Sequence, residues 1–244
     1  MTTIEQPLVN RTILITGASR GIGRGVALAC AEAGATTLLC GRDVPALEAI
    51  AESAEQQGFP APVLVPVNLE RATADDYAQI SGLIETQFGR LDGLVLNAAM
   101  VGEISPLAHL DGATWARVFQ VNLHANFLLL RACLELVSRA TEGTVLFTLA
   151  GAHATGKANW GAYGVSQRAL QGLFELFAAE CGTGDPVSAI ALVPPALNTR
   201  LRRHIFPGAG AEEYPQPEQI AHRYVEYLHG PARLENHARQ IDLT

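Results

Sequence analysis

Three glycines at the spacing Gly-x3-Gly-x-Gly form the part of the sequence best suited to contact a phosphate. They are Gly17, Gly21 and Gly23, and they directly follow the apolar run Thr12–Thr16. Glycine lets the backbone turn tightly and approach a phosphate closely, and the first turn of a following helix offers unpaired N–H groups. A strand, such a loop and a helix in that order are typical of a dinucleotide-binding site. A tight turn without a ligand is the alternative interpretation.

The residues after the second predicted strand indicate which dinucleotide is bound. Such folds often carry an acid there to hold the ribose 2′-hydroxyl, or an arginine that accommodates a 2′-phosphate. Here the strand ends at Cys40-Gly41, where glycine leaves room for a phosphate, and Arg42 follows. A count of about 20 residues from the last glycine reaches Asp43 as the candidate acid instead. Arg20 and Arg42 are two guanidiniums able to grip one phosphate. We therefore expect the chain to bind NADP(H) in preference to NAD(H). The alternative interpretation of Arg42 is a solvated surface charge.

Apolar runs alternate with longer amphipathic segments along the chain, which predicts alternating strands and helices. The predicted strands are Thr12–Thr16, Thr36–Cys40, Pro62–Val67, Leu91–Asn97, Gly143–Leu149 and Val187–Val193. The predicted helices are Gly21–Ala33, Pro45–Gln57, Ala74–Phe88, Asp111–Arg139, Trp160–Cys181 and Pro217–His229. Apolar strands that each lead into a helix indicate a parallel sheet covered on both faces. We predict an α/β fold of the Rossmann type, with a doubly wound parallel sheet of about seven strands, in a single domain spanning residues 1–244.

Four short motifs in this order resemble those of the short-chain dehydrogenase/reductase family. They are Thr16–Gly23 after the first strand, Asn97-Ala98-Ala99 after the fourth, Asn122 in the long helix, and Tyr163 with Gln167 four residues later. The matched elements run from Thr12 to about Thr199, and the segment Gly156–Tyr163 is similar to a group of bacterial oxidoreductases. The resemblance implies a Rossmann fold, a nicotinamide cofactor and a small-molecule carbonyl or alcohol substrate.

The resemblance also implies which residues contact the cofactor. Where the family usually has an aspartate after the third strand, this chain has Asn68, and where it has Pro-Gly after the sixth, this chain has Pro194-Pro195. The backbone N–H of Leu197 is still expected to reach the nicotinamide amide. The full implied set is Gly17, Ser19, Arg20, Gly21, Ile22, Gly23, Arg42, Asn68, Leu69, Asn97, Ala98, Tyr163, Gln167, Pro194, Leu197 and Thr199.

The catalytic residues that the resemblance implies are only partly present. In the family a tyrosine donates a proton to the carbonyl, a lysine holds the ribose and lowers the tyrosine pKa, and a serine polarises the carbonyl. Tyr163 is present, but Gln167 stands at the lysine position and Ala150 at the serine position. Gln167 has no charge with which to lower the Tyr163 pKa, and Ala150 has no donor. We expect weak or absent activity. The resemblance implies that Asn122 orders a water or kinks its helix, and the alternative is a plain buried helix asparagine.

Loss of the lysine weighs more on oxidation than on reduction. A neutral phenol already donates a proton, whereas oxidation needs the phenolate, which is about 0.1% populated at neutral pH when the pKa is ordinary. Residual chemistry is therefore expected to favour reduction. Thr148, on the strand face of Ala150, and His153, in the next loop, are candidate replacements for the serine. The alternatives are a buried strand residue for Thr148 and, for His153, a loop residue that lines or caps the cleft.

Composition argues against several other classes of protein. The 244 residues are 48% apolar, and no apolar run reaches the roughly 18 residues that span a bilayer. The net charge of −7 disfavours nucleic acid as a partner. Met1–Arg11 is polar, so we expect no secretory signal and no membrane association. The four cysteines are widely spaced, which predicts reduced core thiols in the cytoplasm, without a metal site; they are Cys30, Cys40, Cys133 and Cys181.

Three functions stay open on these grounds. The first is an NADPH-dependent reductase of an unknown carbonyl substrate with a degenerate centre, the second a catalytically silent NADP(H)-binding regulator, and the third a structural subunit. The segments Met100–Leu110 and Pro207–Gln216 are expected to shape any substrate pocket. Apolar residues on the long helix and the Tyr163 helix predict a homodimer or homotetramer; they are Phe119, Phe127, Leu173, Phe174 and Phe177.

Overall fold

The computed structural model describes residues 6–151, 156–182, 185–208, 213–235 and 238–243. Its centre is one sheet of seven parallel strands in the order β3-β2-β1-β4-β5-β6-β7. The reversal of strand order between β1 and β4 is the switch point of a doubly wound Rossmann fold, which confirms the predicted fold class. The strands are β1 (Thr12–Thr16), β2 (Thr36–Gly41), β3 (Val63–Pro66), β4 (Gly93–Leu96), β5 (Gly143–Thr148), β6 (Val187–Val193) and β7 (Arg239–Asp242).

Helices cover both faces of the sheet. They are α1 (Gly21–Glu32), α2 (Val44–Gln56), α3 (Ala74–Phe88), α4 (Gly112–Phe119), α5 (Ala125–Ser138), α6 (Gly161–Glu180), α7 (Arg200–Ile205), α8 (Ala221–Leu228) and α9 (Gly230–Glu235). Among the described residues, none of these helices is long and apolar enough to cross a membrane. Glycines with positive φ follow α1, α2 and α3, as expected for helix ends; they are Gly34, Gly58 and Gly89.

The core forms two layers because successive strand residues point to opposite faces. Leu14 of β1 packs with the layer formed by α3, α5 and α6, whereas its neighbours Ile13 and Ile15 pack with the layer under α1 and α8. Phe174 and Phe177, expected to serve the core or an interface, are buried in the first layer, while Phe127 on α5 is half exposed. The predicted oligomer stays a prediction.

The structure departs from the predicted elements in the long helix and in the C-terminal part. The helix predicted over Asp111–Arg139 is broken by a π turn at Gln120–His124. The last predicted helix begins as a 3₁₀ turn over Pro217–Ile220 before α8. Sequence patterns did not predict α7, α9 or β7, because all three are short and β7 is an exposed edge strand of mostly polar residues.

Candidate active site

The glycine loop joins β1 to α1 through two residues in left-handed conformation. Gly17 has a φ of +66° and Gly21 a φ of +56°, values that residues with a Cβ rarely adopt. Gly23 is needed for another reason, since a Cβ there would lie 2.3 Å from the carbonyl oxygen of Gly17 and 2.7 Å from the Asn97 amide nitrogen. The helix thus packs directly on the loop, which leaves the loop backbone facing a cleft.

Polar contacts with the end of β4 hold the glycine loop in place. The Thr16 hydroxyl accepts hydrogen bonds from the backbone N–H of Asn97 at 2.9 Å and of Ala98 at 3.0 Å, and donates to the Val95 carbonyl at 3.2 Å. The Asn97 side chain in turn donates to the Thr16 carbonyl at 3.0 Å. These bonds tie the two strands together at the switch point, where Rossmann folds bind their ligand.

The N-terminus of α1 carries no side-chain cap. Arg20 occupies the N-cap position without a capping hydrogen bond, and the first turn contains no acid. By contrast, Asp43 caps α2 and Asp111 caps α4 through their carboxylates. The first N–H groups of α1 therefore have no acceptor from an N-cap side chain, and they lie at the positive end of the helix dipole. Together with the glycine cradle, this end of the helix fits a pyrophosphate.

A single cleft of about 680 Å³ runs past the glycine loop to Tyr163. It brings together nearly all of the site residues predicted from the sequence; those at its surface are Gly17, Ser19, Arg20, Gly21, Ile22, Arg42, Asn68, Leu69, Asn97, Ala98, Ala150, Tyr163, Gln167, Pro194, Leu197 and Thr199. Gly23 and Asn122 lie behind its wall and act through packing and positioning. The loop at residues 100–102 also lines the cleft, as predicted for part of the segment Met100–Leu110.

The two arginines expected to grip a phosphate each contact a carboxylate. Arg20 lies 3.2 Å from Asp43, and Arg42 pairs with Glu70, a residue that sequence reasoning missed. Exposed ion pairs of this kind are worth only about 0–1 kcal/mol, so a phosphate dianion competes with both. Gly41 faces Leu47 and Ser19, and a Cβ at Gly41 would lie 3.4 Å from its nearest neighbour, which is ordinary contact. There is room for a ligand group or a small side chain at this place.

Tyr163 lies in the first turn of α6 and is 6% exposed. Burial raises the pKa of its phenol to about 12, because the phenolate loses hydration. Gln167 follows one helical turn later, buried, and its side-chain oxygen accepts a hydrogen bond from the backbone N–H of Ala150 at 3.1 Å. The two positions that depart from the family pattern thus contact each other, and Gln167 anchors the loop after β5 beside Tyr163.

Asn122 connects three segments behind the part of the cleft wall that contains Tyr163. Its side-chain amide accepts from the Met100 N–H at 2.8 Å and donates to the Met100 carbonyl at 2.9 Å. It also donates to the Ser166 hydroxyl at 2.9 Å, and that hydroxyl donates to the Tyr163 carbonyl at 2.9 Å. The Asn122 carbonyl, within the π turn, accepts from the Asn126 side chain at 2.8 Å. The helix is therefore interrupted at Asn122, and the residue positions the turn that carries Tyr163.

Of the two candidate replacements for the missing serine, the structure describes Thr148, which lines the cleft. The Thr148 hydroxyl lies 3.1 Å from the hydroxyl of Tyr224 on α8, so it is engaged on the sheet face opposite α6. His153 lies outside the described residues. Thr199, expected beside the nicotinamide, uses its hydroxyl to accept from the Arg202 N–H at 3.1 Å as the N-cap of α7. That helix adds Leu201, Arg202 and His204 to the cleft wall, and the Thr cap was the sequence signal that could have revealed it.

Among the residues that the structure describes, no group of His, Cys, Asp and Glu side chains is arranged to hold a metal ion. The four cysteines are buried and form no disulfide. Burial raises the pKa of Cys30 and Cys40 to about 12, as expected for thiols in an apolar core. The polar groups of the site therefore include backbone N–H groups, the two arginine–carboxylate pairs, Tyr163 with Gln167, and the side chains that α7 adds.

Comparison with protein families and curated proteins identifies the family to which this chain belongs. The family model described as short chain dehydrogenase matches residues 11–209. The chain belongs to this family. A relative in Escherichia coli K12, the uncharacterized oxidoreductase YciK, is 33% identical over 91% of this chain and 87% of its own length. The short chain dehydrogenase mpl6 of Monascus purpureus is 34% identical over 86% of this chain and 73% of its own.

Solved structures of short chain dehydrogenases share the whole fold. A protein from Pseudomonas syringae is 37% identical, with a TM-score of 0.94 over 98% of this chain and 97% of its own. One from Escherichia coli CFT073, complexed with NADPH, is 31% identical, with a TM-score of 0.92 over 98% of each chain. One from Shigella flexneri, complexed with NADP, is 30% identical with the same TM-score and the same coverage of both chains. The family resemblance found in the sequence is confirmed.

Proposed function

We propose that this short chain dehydrogenase is an NADPH-dependent reductase of a small carbonyl compound, with a weakened catalytic centre. The observation that carries the proposal is the single cleft that joins an uncapped, glycine-lined helix N-terminus to a buried Tyr163 phenol. A phosphate-bearing dinucleotide fits the first half, and a proton donor stands in the second. Ala150 and Gln167 account for the weakening, because neither supplies the hydroxyl or the charge found in the family pattern.

The preference for NADPH over NADH rests on the end of β2. Gly41 leaves space where an acid would repel a 2′-phosphate, and Arg20 and Arg42 border that space. Guanidiniums bind phosphate through charge-assisted hydrogen bonds, which are stronger than the exposed pairs that they make with Asp43 and Glu70. The NADPH and NADP complexes of the Escherichia coli and Shigella flexneri relatives support the same choice.

The chemistry follows from what the chain's own groups can do. A bound NADPH supplies the hydride that reduces the carbonyl carbon. Tyr163 gives its phenolic proton to the carbonyl oxygen as the C=O bond becomes an alcohol, and the phenolate then regains a proton from water. Gln167 keeps the loop at Ala150 in place, and the methyl group of Ala150 leaves the carbonyl oxygen without the second donor that a serine would provide. Reduction is the favoured direction, because it starts from the protonated phenol, whereas oxidation needs the phenolate, which burial disfavours by raising the Tyr163 pKa.

A Tyr163→Phe variant tests the proposed reaction. Removing the proton donor is expected to lower carbonyl-dependent NADPH oxidation by about 100-fold or more, while the dissociation constant for NADPH stays within about twofold. Turnover is followed by NADPH absorbance across a panel of aldehydes and ketones, and binding by NADPH fluorescence. The contrary result is a wild type that binds NADPH but turns over no faster than background, with the same rate in Tyr163→Phe. That result would favour the silent NADP(H)-binding regulator, a function that the replacements at Ala150 and Gln167 also suit.

A Gly41→Asp variant tests the choice of cofactor. The new carboxylate would lie beside Ser19 where we place the ribose, and it would repel a 2′-phosphate while accepting a hydrogen bond from a 2′-hydroxyl. NADPH is expected to bind about 10- to 100-fold more weakly, with NADH unchanged or tighter. Gly41→Asn, of equal size and no charge, is the matched control and should weaken NADPH binding much less. Equal loss of both cofactors in the Asp variant would count against the proposed site of the 2′-phosphate.

A further inference from the structure

Arg202 on α7 is held in place by aromatic rings at the catalytic end of the cleft. Its guanidinium carbon lies 3.9 Å from the ring centroid of Tyr214 and 5.0 Å from that of Phe206. Phe206 packs edge-on against Trp160 at 6.0 Å, and Trp160 packs against Tyr163 at 5.8 Å. Cation–π contacts orient a guanidinium without neutralising its charge. Arg202 is therefore held by its aromatic neighbours as a preorganised cation in the wall of the cleft that also contains Tyr163.

The charge of Arg202 has no counterpart in the described part of the chain. Its Nε is buried there without a hydrogen-bond partner, and Arg202 takes part in none of the ion pairs found among these residues. Arg20 and Arg42, at the other end of the same cleft, each contact a carboxylate. A buried donor without a partner costs free energy, so its acceptor must come from outside the described residues, as a bound ligand or water.

The surroundings of Arg202 describe the rest of the ligand. Apolar side chains that pack around Trp160 and Tyr163 form the wall here, with Val101, Leu201 and Ile205 among them. Glu70 is the carboxylate residue among those described that line the cleft, and it follows β3, on the side of the sheet away from β5 and Tyr163. This end of the cleft thus combines an apolar wall with the guanidinium of Arg202, held by aromatic rings, and with Arg200 beside it, which suits a molecule with an apolar body and an anionic group.

We propose that the carbonyl substrate carries a carboxylate, and that Arg202 is the residue that selects it. The planar fork of a guanidinium matches the two oxygens of a carboxylate, which would also give the orphaned Nε an acceptor. The carbonyl would then be held beside Tyr163 by the same wall. This inference rests on the proposed reductase function, since it names the substrate class of that site.

Matched pairs of acids and esters test the proposal by binding as well as by turnover. Wild-type protein is first titrated with NADPH and NADP⁺, which tests the cofactor site by itself. The NADP⁺ complex is then titrated by calorimetry with 4-(hydroxymethyl)benzoate, 4-hydroxypentanoate and the methyl ester of each. Reduction of 4-carboxybenzaldehyde and of its methyl ester is followed in parallel. The acids are expected to bind about 10- to 100-fold more tightly than their esters.

Two variants on α7 separate the role of Arg202 from general charge. Arg202→Met should abolish the preference for acid over ester and leave the ester and NADPH dissociation constants within about threefold. Arg203→Met removes the same charge from the exposed side of the same helix and should keep the preference. Circular dichroism and the thermal midpoint of each variant verify that α7 and the fold persist.

Each remaining outcome has one meaning. If NADPH and NADP⁺ do not bind, the proposed function fails before the substrate question arises. If they bind but no acid outcompetes its ester, the carboxylate proposal is overturned and the reductase proposal stands. A preference that Arg203→Met reduces as much as Arg202→Met reflects surface charge, and a loss of NADPH affinity in Arg202→Met makes Arg202 a cofactor contact; either result overturns the assignment.

Discussion

A Gly23→Ala variant is expected to lose measurable NADPH binding while keeping its fold. The added methyl group would lie 2.3 Å from the Gly17 carbonyl oxygen and 2.7 Å from the Asn97 amide, well inside van der Waals contact. Because both neighbours belong to the cradle itself, relief of the clash must displace the loop that meets the phosphates. We expect affinity for NADPH to fall by about 100-fold or more, with a loss of about 1–3 kcal/mol in the free energy of unfolding.

Fluorescence titration with NADPH and chemical unfolding measure the two effects. Gly82→Ala in the middle of α3 is the matched control, because a Cβ there meets no atom within 4 Å. That variant should bind NADPH as the wild type does and gain about 0.5–1 kcal/mol of stability through better helix propensity. Wild-type NADPH affinity in Gly23→Ala would show that the cofactor does not depend on this loop.

Restoring the family pattern with Ala150→Ser/Gln167→Lys is expected to raise reductase turnover by about 100-fold. The serine would supply a second donor to the carbonyl oxygen, and the lysine would place a positive charge one turn from Tyr163. The gain is expected to stay below the product of the separate effects, since such groups act as a unit. The lysine also removes the acceptor that now holds the Ala150 N–H at 3.1 Å, which costs part of the gain.

The same variant should change the pH dependence of the reverse reaction more than that of reduction. Because burial raises the pKa of Tyr163, the phenolate is a minor species at pH 7, and each pH unit below the pKa lowers its fraction tenfold. Wild-type alcohol oxidation should therefore rise about tenfold per pH unit from pH 7 to pH 10, while reduction stays flat. In the double variant the rise should begin at lower pH, because the lysine charge favours the phenolate.

Initial rates in both directions between pH 6 and pH 10 provide the measurement. Gln171→Lys adds the same charge one turn further along α6, where Gln171 contacts Arg168 and Glu175, and should leave the profile unchanged. Wild-type oxidation that is already independent of pH near neutrality would mean that another group takes the proton. A double variant as slow as the wild type would mean that the cleft lacks a further requirement of the reaction.

The sequence determined the fold class and most of the residues that line the glycine-loop end of the cleft. The bounds of β1, α3 and β6 agree with the prediction, because a buried parallel strand needs an unbroken apolar run and an amphipathic helix repeats its apolar face. The glycine loop could be predicted from the sequence for a similar reason, because its glycines satisfy local requirements on φ and on close packing. The family itself followed from motifs that stand at fixed places between these elements.

The contacts made by those residues were decided by the tertiary structure alone. Glu70, which follows β3, pairs with Arg42, which follows the neighbouring strand β2. Gln167 accepts a hydrogen bond from the Ala150 N–H, and Thr148 contacts Tyr224 on the other face of the sheet. The π turn at Asn122 likewise depends on partners from distant segments, and α7 brings Arg202 to the catalytic end. Local periodicity carries no information about which side chains meet across elements, so their charges and hydrogen bonds appear only once the chain is folded.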